Sequence, residues 1–400
     1  MRVLIACQPG YGHLHPLLPL ARASLAKGHE VLVATSASMC PVVEGAGFAC
    51  APAGLDWLLA RERVAFPELA DLPFGDEHFR AQLTRVFRDV TARRMGPDLL
   101  DICRAWRPDV IVRDDQEHGA LIAAELLGIP HAVAGVLWLY APDVQALVVD
   151  ALEALLADFG LAGSPAIDRA YRYLTLAAMP PGWAAPSEVV PPNTHLQRPE
   201  AFANEGGDAA EWLNGLPERP LAHANLGTIV APHTTLHESL LEAFEDLPVN
   251  LVLSVGPDHD LDAFGPRPDN VRVIDHIPPG ILRRSAVAIV HAGYGSTMAA
   301  LVSGTPLLLL PVAVDQPRNA RRCVDLELGL ALFDGARDAQ QIREAVRLLI
   351  DDPTFRARCL AMRASIEALP GAGRGVALVE RLAATHAPIP ADAGFETGIA

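Results

Sequence analysis

Basic residues are in short supply in this 400-residue chain. Lysine and arginine total 32 against 48 aspartates and glutamates, a formal net charge of −16. That deficit argues against a nucleic-acid partner, whose phosphates need a basic face. A local basic pocket for a small phosphate stays compatible with it. Apolar runs of membrane length are also missing. The first thirty residues, "MRVLIACQPGYGHLHPLLPLARASLAKGHE", are apolar but broken by glycine, histidine and proline. They fit neither a signal peptide nor a membrane span, so the expectation is a soluble cytoplasmic protein with no membrane insertion. The six cysteines form no C-x-x-C pair and no zinc-type cluster. They read as free, mostly buried thiols. No low-complexity block is present.

Half of the residues are hydrophobic and only 20% are charged, which suits a folded globular chain. A single core stops growing near about 250–300 residues, so two domains are expected. In the first half, strand-like runs at 2–7, 30–35, 48–53, 108–114 and 129–135 are separated by helical stretches. Near 180–200 the chain is crowded with proline and loses periodicity, as a linker would. The rhythm then resumes, with strand-like runs at 221–227, 249–256, 271–276, 287–291 and 305–311. Strands alternating with helices imply right-handed crossovers and parallel sheets. In such doubly wound folds ligands bind beyond the carboxyl ends of the strands, so the loops there are where chemistry is expected.

Four of those loops carry suggestive side chains. "CQPGYGHLHP" (7–16) has glycines that permit close backbone approach, and the imidazoles of His13 and His15. It falls short of the G-x-G-x-x-G dinucleotide fingerprint, and no acid closes the next strand, which disfavours hydride transfer. "VRDDQEH" (112–118) puts Asp114 first out of its strand, where it is equally a helix cap or the partner of an imidazole. "HAGYGST" (291–297) opens a helix whose free amides would suit an anion. A capped turn accounts for its glycines and hydroxyls but not for His291. It is no Walker A loop, because no G-K-[ST] follows. "PVAVDQPRN" (311–319) offers Asp315 and Gln316, either as helix caps or as partners for sugar hydroxyls.

Together these loops resemble the nucleotide-sugar-dependent family 1 glycosyltransferases, over nearly the whole chain. The likeness is strongest across 271–333, from "VRVIDHIPPG" through "HAGYGST" to "PVAVDQPRNA", and recurs in the "GHLHPLLPLARASLAKGHEV" start. Within the family, the bacterial enzymes that decorate antibiotics and other secondary metabolites are most similar. The resemblance implies an α/β GT-B fold, with two Rossmann-like doubly wound domains whose parallel sheets face each other across a cleft. The expected layout is an acceptor-binding domain at 1–190, a linker at 191–219 and a donor-binding domain at 220–370. A helix at 371–386 would pack back on the first domain, and 387–400 would form a tail.

Residue by residue, the resemblance assigns His13 as the base and Asp114 as its acidic partner, and leaves His15 structural. Gly12, Thr228, His291, Gly293, Gly295, Ser296 and Thr297 would meet the donor, most of them at its diphosphate. Asp315 and Gln316 would face the sugar, and Ile277 the nucleobase. Ala292 stands where relatives often carry glycine, and Tyr294 where they carry a small or polar residue. The activity implied is inverting transfer from a TDP- or UDP-sugar to a hydroxyl of a small hydrophobic natural product, without cofactor or metal. A homodimer is left open. Two other readings stay in view. One is a nucleotide-sugar epimerase of the same architecture, which would need no acceptor. The other is a non-catalytic nucleotide-sugar-binding protein, in which His13 would be dispensable.

Overall fold

The computed structural model describes residues 1–73, 75–200, 213, 215–227, 236–256, 260–277, 280–335 and 337–391. The chain divides into two compact units, one of residues 1–200 with 368–400, the other of residues 201–367.

The first unit is built on seven parallel strands: β1 (Arg2–Ala6), β2 (Glu30–Thr35), β3 (Ala49–Pro52), β4 (Val110–Arg113), β5 (His131–Gly135), β6 (Leu174–Ala177) and β7 (Thr194–Leu196). Their order is β3-β2-β1-β4-β5-β6-β7. β4, "VIVR", is buried throughout, as expected of a parallel strand covered on both faces. On one side, Leu4, Ala6 and Ile111 pack against Leu99 of the helix Ala92–Trp106 and Ala120 of the helix His118–Leu127. The helix Leu18–Ala26 has a proline in its first turn and stops before Gly28 at φ +84°.

The last helix, Ala372–Thr385, also belongs to the first unit. Its Glu380 accepts from Lys27 Nζ at 2.9 Å and from His29 Nε2 at 2.8 Å. Just beyond it, Ile389 is buried and its N–H donates to the Tyr173 carbonyl. The chain is therefore packed to at least Ile389, two residues beyond the point where the tail was expected to begin.

The second unit holds six parallel strands: β8 (Leu221–Asn225), β9 (Asn250–Ser254), β10 (Val271–Ile274), β11 (Val287–Val290), β12 (Leu307–Leu309) and β13 (Gly329–Ala331). Their order, β10-β9-β8-β11-β12-β13, repeats the first pattern. Leu251, Leu253, Val287, Ile289 and Leu308 fill the core beneath the helices Leu236–Glu245 and Ala339–Asp351. In both sheets the winding direction reverses at one place, between β1 and β4 and between β8 and β11. Crevices at such reversals are where doubly wound folds bind ligands.

Three strands went unread in the sequence. β6 and β7 are four and three residues long, and β13 is three. The proline-rich segment expected to be a linker contains the edge strand β7, preceded by Pro191 and Pro192. An edge strand needs fewer backbone donors, so prolines beside it are tolerated. The first unit thus runs past residue 190. The cysteines also need a correction: Cys40 and Cys50 are joined, their Cα atoms 5.5 Å apart. β3 brings Cys50 back beside the helix Cys40–Gly45. Cys7, Cys103, Cys323 and Cys359 are free and buried.

Candidate active site and candidate donor site

At the reversal point of the first sheet, β1 and β4 lie side by side with Ala6 opposite Arg113. The next residues out are Cys7 and Asp114, so the loops after both strands emerge together. The β1 loop turns at Gly10 into the short helix Tyr11–Leu14, which carries His13 back over Asp114. His13 Nδ1 lies 3.1 Å from Asp114 Oδ1, with both side chains about 95% buried. A carboxylate accepts, so Nδ1 carries a proton, and in the neutral ring Nε2 then keeps its lone pair. Asp114 is itself held by two backbone amides. Gln8 N–H donates to Oδ2 at 2.6 Å, and Gln116 N–H to Oδ1 at 2.7 Å.

An aromatic wall surrounds the imidazole. Trp138 stacks on it, with ring centroids 5.9 Å apart and planes 16° from parallel, and Phe87 meets it edge-on at 5.8 Å. Phe79, Tyr140, Trp57 and Phe66 extend the cluster. Phe87 sits on a π-helical stretch, Gln82–Thr91, a rare form found mostly at functional sites.

Behind the pair, several charged groups are buried. Asp115 accepts from the Trp138 backbone N–H at 2.9 Å and from the Tyr171 hydroxyl at 2.6 Å. It therefore pins the segment whose indole stacks on His13. Sequence reasoning missed it, because "DD" after a strand reads as helix capping. Arg113, fully buried, donates to the carbonyls of Asp114, Asp115 and Ala170. Glu117 caps the helix His118–Leu127 through the Gly119 N–H. Burial, with Asp114 nearby adding to it, pushes its carboxyl up to about 8. His15 stands apart from the pair, against Tyr11, and burial pushes it down to about 4. Gly12 is exposed on the short helix.

In the second unit, His291 is the first residue beyond β11. Its Nδ1 faces the Asn225 carbonyl at 3.5 Å. Two glycines box the ring: a Cβ on Gly293 would come within 2.3 Å of Nε2, and one on Gly227 within 2.8 Å. Burial pushes this imidazole down to about 4, so it is neutral at pH 7. Ala292 follows at φ +64°. Gly293 then starts the helix Tyr294–Ser303 without any side-chain cap of its own. Instead Asp315 reaches across from the β12 loop, and its Oδ2 accepts from Tyr294 N–H at 3.1 Å.

The remaining predicted positions differ in accessibility. Gly295 is exposed, and Ser296 is half-buried with its hydroxyl donating to the Gly293 carbonyl. Thr297 is fully buried, and Tyr294 carries a buried hydroxyl. Gln316 turns its side-chain carbonyl onto the amides of Val312 and Ala313. Ile277 is exposed beyond β10. Thr228 lies outside the described residues. "DHDLD" (258–262) is an Asp-x-Asp run, in which Asp260 Oδ1 accepts from the Asp262 N–H and caps the turn Leu261–Phe264. Among the described residues no group of three or more His, Cys, Asp or Glu could hold a metal ion, and no helix is long and apolar enough to cross a membrane. A cavity of about 430 Å³ lies at the amino ends of β8 and β11, away from the loops described above.

Two doubly wound units with these parallel sheets have the architecture of the GT-B glycosyltransferases. Residues 22–158 match the family model for the erythromycin biosynthesis protein CIII-like N-terminal domain, and residues 238–381 that for its C-terminal domain. The chain belongs to this family of antibiotic glycosyltransferases. It is 32% identical to L-demethylnoviosyl transferase of Streptomyces niveus over 89% of this chain and 92% of that one. It is 28% identical to 10-deoxymethynolide desosaminyltransferase of Streptomyces venezuelae, over 98% of this chain and all of the relative. Among solved structures, the glycotransferase of kitacinnamycin is similar at a TM-score of 0.77 and 27% identity, covering 95% of this chain and 98% of that one.

Proposed function

We propose that this glycosyltransferase moves a sugar from a TDP- or UDP-activated donor to a hydroxyl of a small, largely apolar natural product, with inversion at the anomeric carbon. The observation that carries the reading is the His13–Asp114 pair. Nε2 of His13 takes the proton of the acceptor hydroxyl while that oxygen bonds to the anomeric carbon. The bond from that carbon to the diphosphate oxygen breaks, and the nucleoside diphosphate leaves with the electron pair. Asp114 steadies the imidazolium formed, as the third member of a catalytic triad does. The aromatic wall beside His13 supports an apolar acceptor.

On the second unit, the amides of Gly295 and Ser296, next to the one that Asp315 holds at Tyr294, meet the charge growing on the leaving diphosphate. Fixed donors of this kind act where charge develops in the transition state. The neutral His291 ring adds a neighbour of fixed orientation. The reading requires no cofactor and no metal, and puts the enzyme in the cytoplasm. The test is a thermal-shift screen with TDP and UDP, followed by product analysis with the activated sugar. Stabilisation by neither nucleotide sinks the donor assignment. Conversion of donor alone into an epimer would favour an epimerase instead.

A further inference from the structure

The loops after β11 and β12 share a peculiarity. Each holds a non-glycine residue in the left-handed backbone region, Ala292 at φ +64° and Val314 at φ +62°. A β-branched residue such as Val314 is especially costly there. Conformations of this kind persist only where their surroundings over-determine them, and they gather at functional sites. The two loops leave the sheet side by side, because β11 and β12 pair with Val290 opposite Leu309.

One side chain fastens both loops. Asn319, on the helix Gln316–Asp325, is 3% exposed. Its Nδ2 donates to the Ala292 carbonyl at 3.1 Å and to Asp315 Oδ2 at 2.7 Å. A primary amide has two hydrogens, so both contacts are made at once. The same Oδ2 accepts from Tyr294 N–H, the first amide of the helix start. The amide therefore fixes the carbonyl of one left-handed residue and the carboxylate that directly follows the other. That carboxylate in turn is held against the helix opened by the first loop.

We propose that Asn319 is a positioning residue of the donor site, setting the orientation in which Asp315 meets the sugar of the activated donor. This rests on the reading of the second unit as donor-binding. Without Asn319, the Asp315 carboxylate keeps its charge but loses a buried donor 2.7 Å away that helps set its rotation. The contribution of the sugar to binding should fall by more than that of the nucleotide, so the ratio of the two affinities is the quantity that reports on Asp315. Serine at 319 is too short to reach both acceptors, and aspartate offers no donor and would repel Asp315.

The experiment is a double-mutant cycle read by calorimetric titration with TDP, TDP-glucose, UDP and UDP-glucose. The quantity followed is the affinity ratio of each activated sugar to its own nucleotide. Asp315→Asn is expected to lower that ratio about tenfold, the scale of one hydrogen bond to a charged group. Asn319→Ala should lower it by a comparable factor, and the double variant no further than Asp315→Asn alone. Asn319→Ser serves as a milder variant if the alanine form melts early. An Asn319 that only supports the fold would lower the melting temperature and leave the ratio unchanged, or add its effect to that of Asp315→Asn. Either result overturns the proposal. If the unmodified chain binds neither nucleotide, the donor reading falls and this proposal falls with it. Normal nucleotide binding with an unmoved ratio removes this proposal alone.

Discussion

His13 and Asp114 meet at 3.1 Å although 101 positions separate them. The contact exists because β4 lies beside β1, out of chain order, so the loops after the two strands rise together. Replacing His13 by alanine removes the group that would take the acceptor proton. Turnover at saturating donor should fall by about 10²–10⁴, the usual scale of general-base catalysis. The melting temperature should fall, because Asp114 loses a buried partner, so turnover is compared well below the variant's own transition to separate loss of chemistry from loss of fold. Asp114→Asn should act in the same direction. An asparagine offers one accepting oxygen where Gln8 N–H, Gln116 N–H and His13 now share two. A His13→Ala enzyme with near-parental turnover would remove the base assignment.

The buried Glu117 gives a stability effect with a definite sign. Its folded-state value of about 8 lies above the ordinary 4.5, with burial the main cause and Asp114 second. The folded chain thus keeps a proton that the unfolded chain has released, and stability drains away as pH rises from 4.5 through 8. Glu117→Gln carries no titrating proton and can still accept from Gly119 N–H. The melting temperature of the variant, relative to the parent, should therefore be higher at pH 9 than at pH 5. The neighbouring His118 is shifted downward by burial, so its own cost falls on the acid side and cancels in that comparison. A difference that is the same at both pH values would show that Glu117 does not titrate in this window.

Most of the architecture was legible in the chain because parallel strands buried on both faces leave unbroken apolar runs, as "VIVR" and "VAIV" do. Strands of three or four residues leave no such run, which is why β6, β7 and β13 were missed. His291 stood out because a turn has no need of an imidazole, and His13 through the resemblance of its loop to the family's amino-terminal segment. The side chains behind them did not. Asp115 and Asn319 act through hydrogen bonds to Trp138, Tyr171 and Ala292, far away in the chain, and nothing in their local spacing announces those partners. Cys40 and Cys50 were misread for a related reason. Their meeting depends on β3 returning beside a short helix, whereas cysteine spacing alone gave no signal.

His291 is held by what its neighbours lack. Gly293 has φ −61°, a value any residue accepts, so alanine there meets no backbone penalty and only the imidazole stands in its way. At 2.3 Å from Nε2 the new methyl must displace the ring. Gly293→Ala should therefore weaken TDP binding about tenfold or more, measured by calorimetry, an effect on the scale of a lost charge-assisted contact. Combining it with His291→Ala removes the ring that the methyl strikes. The double variant should bind no worse than His291→Ala alone. Additive losses would mean that Gly293 matters for its own amide or for close approach of the ligand, and not through His291.

Ala292 allows a test of the strain at this loop without touching a ligand-facing side chain. It is fully buried and left-handed at φ +64°. Holding an L-residue there costs about 1–2 kcal/mol, and glycine escapes most of that. Glycine gives some of it back through the greater freedom of its unfolded chain, on the order of 0.4–1 kcal/mol. Removing the buried methyl costs a little more, because its packing is lost. The three effects nearly cancel, so Ala292→Gly should change stability by less than about 1 kcal/mol in denaturant titration of the second unit. A substitution to valine at the same position keeps the strain and adds bulk to a fully buried site. It should destabilise by several times more than the glycine change. The contrast between the two is the informative quantity: equal effects would mean that the left-handed backbone at Ala292 is not what the loop resists.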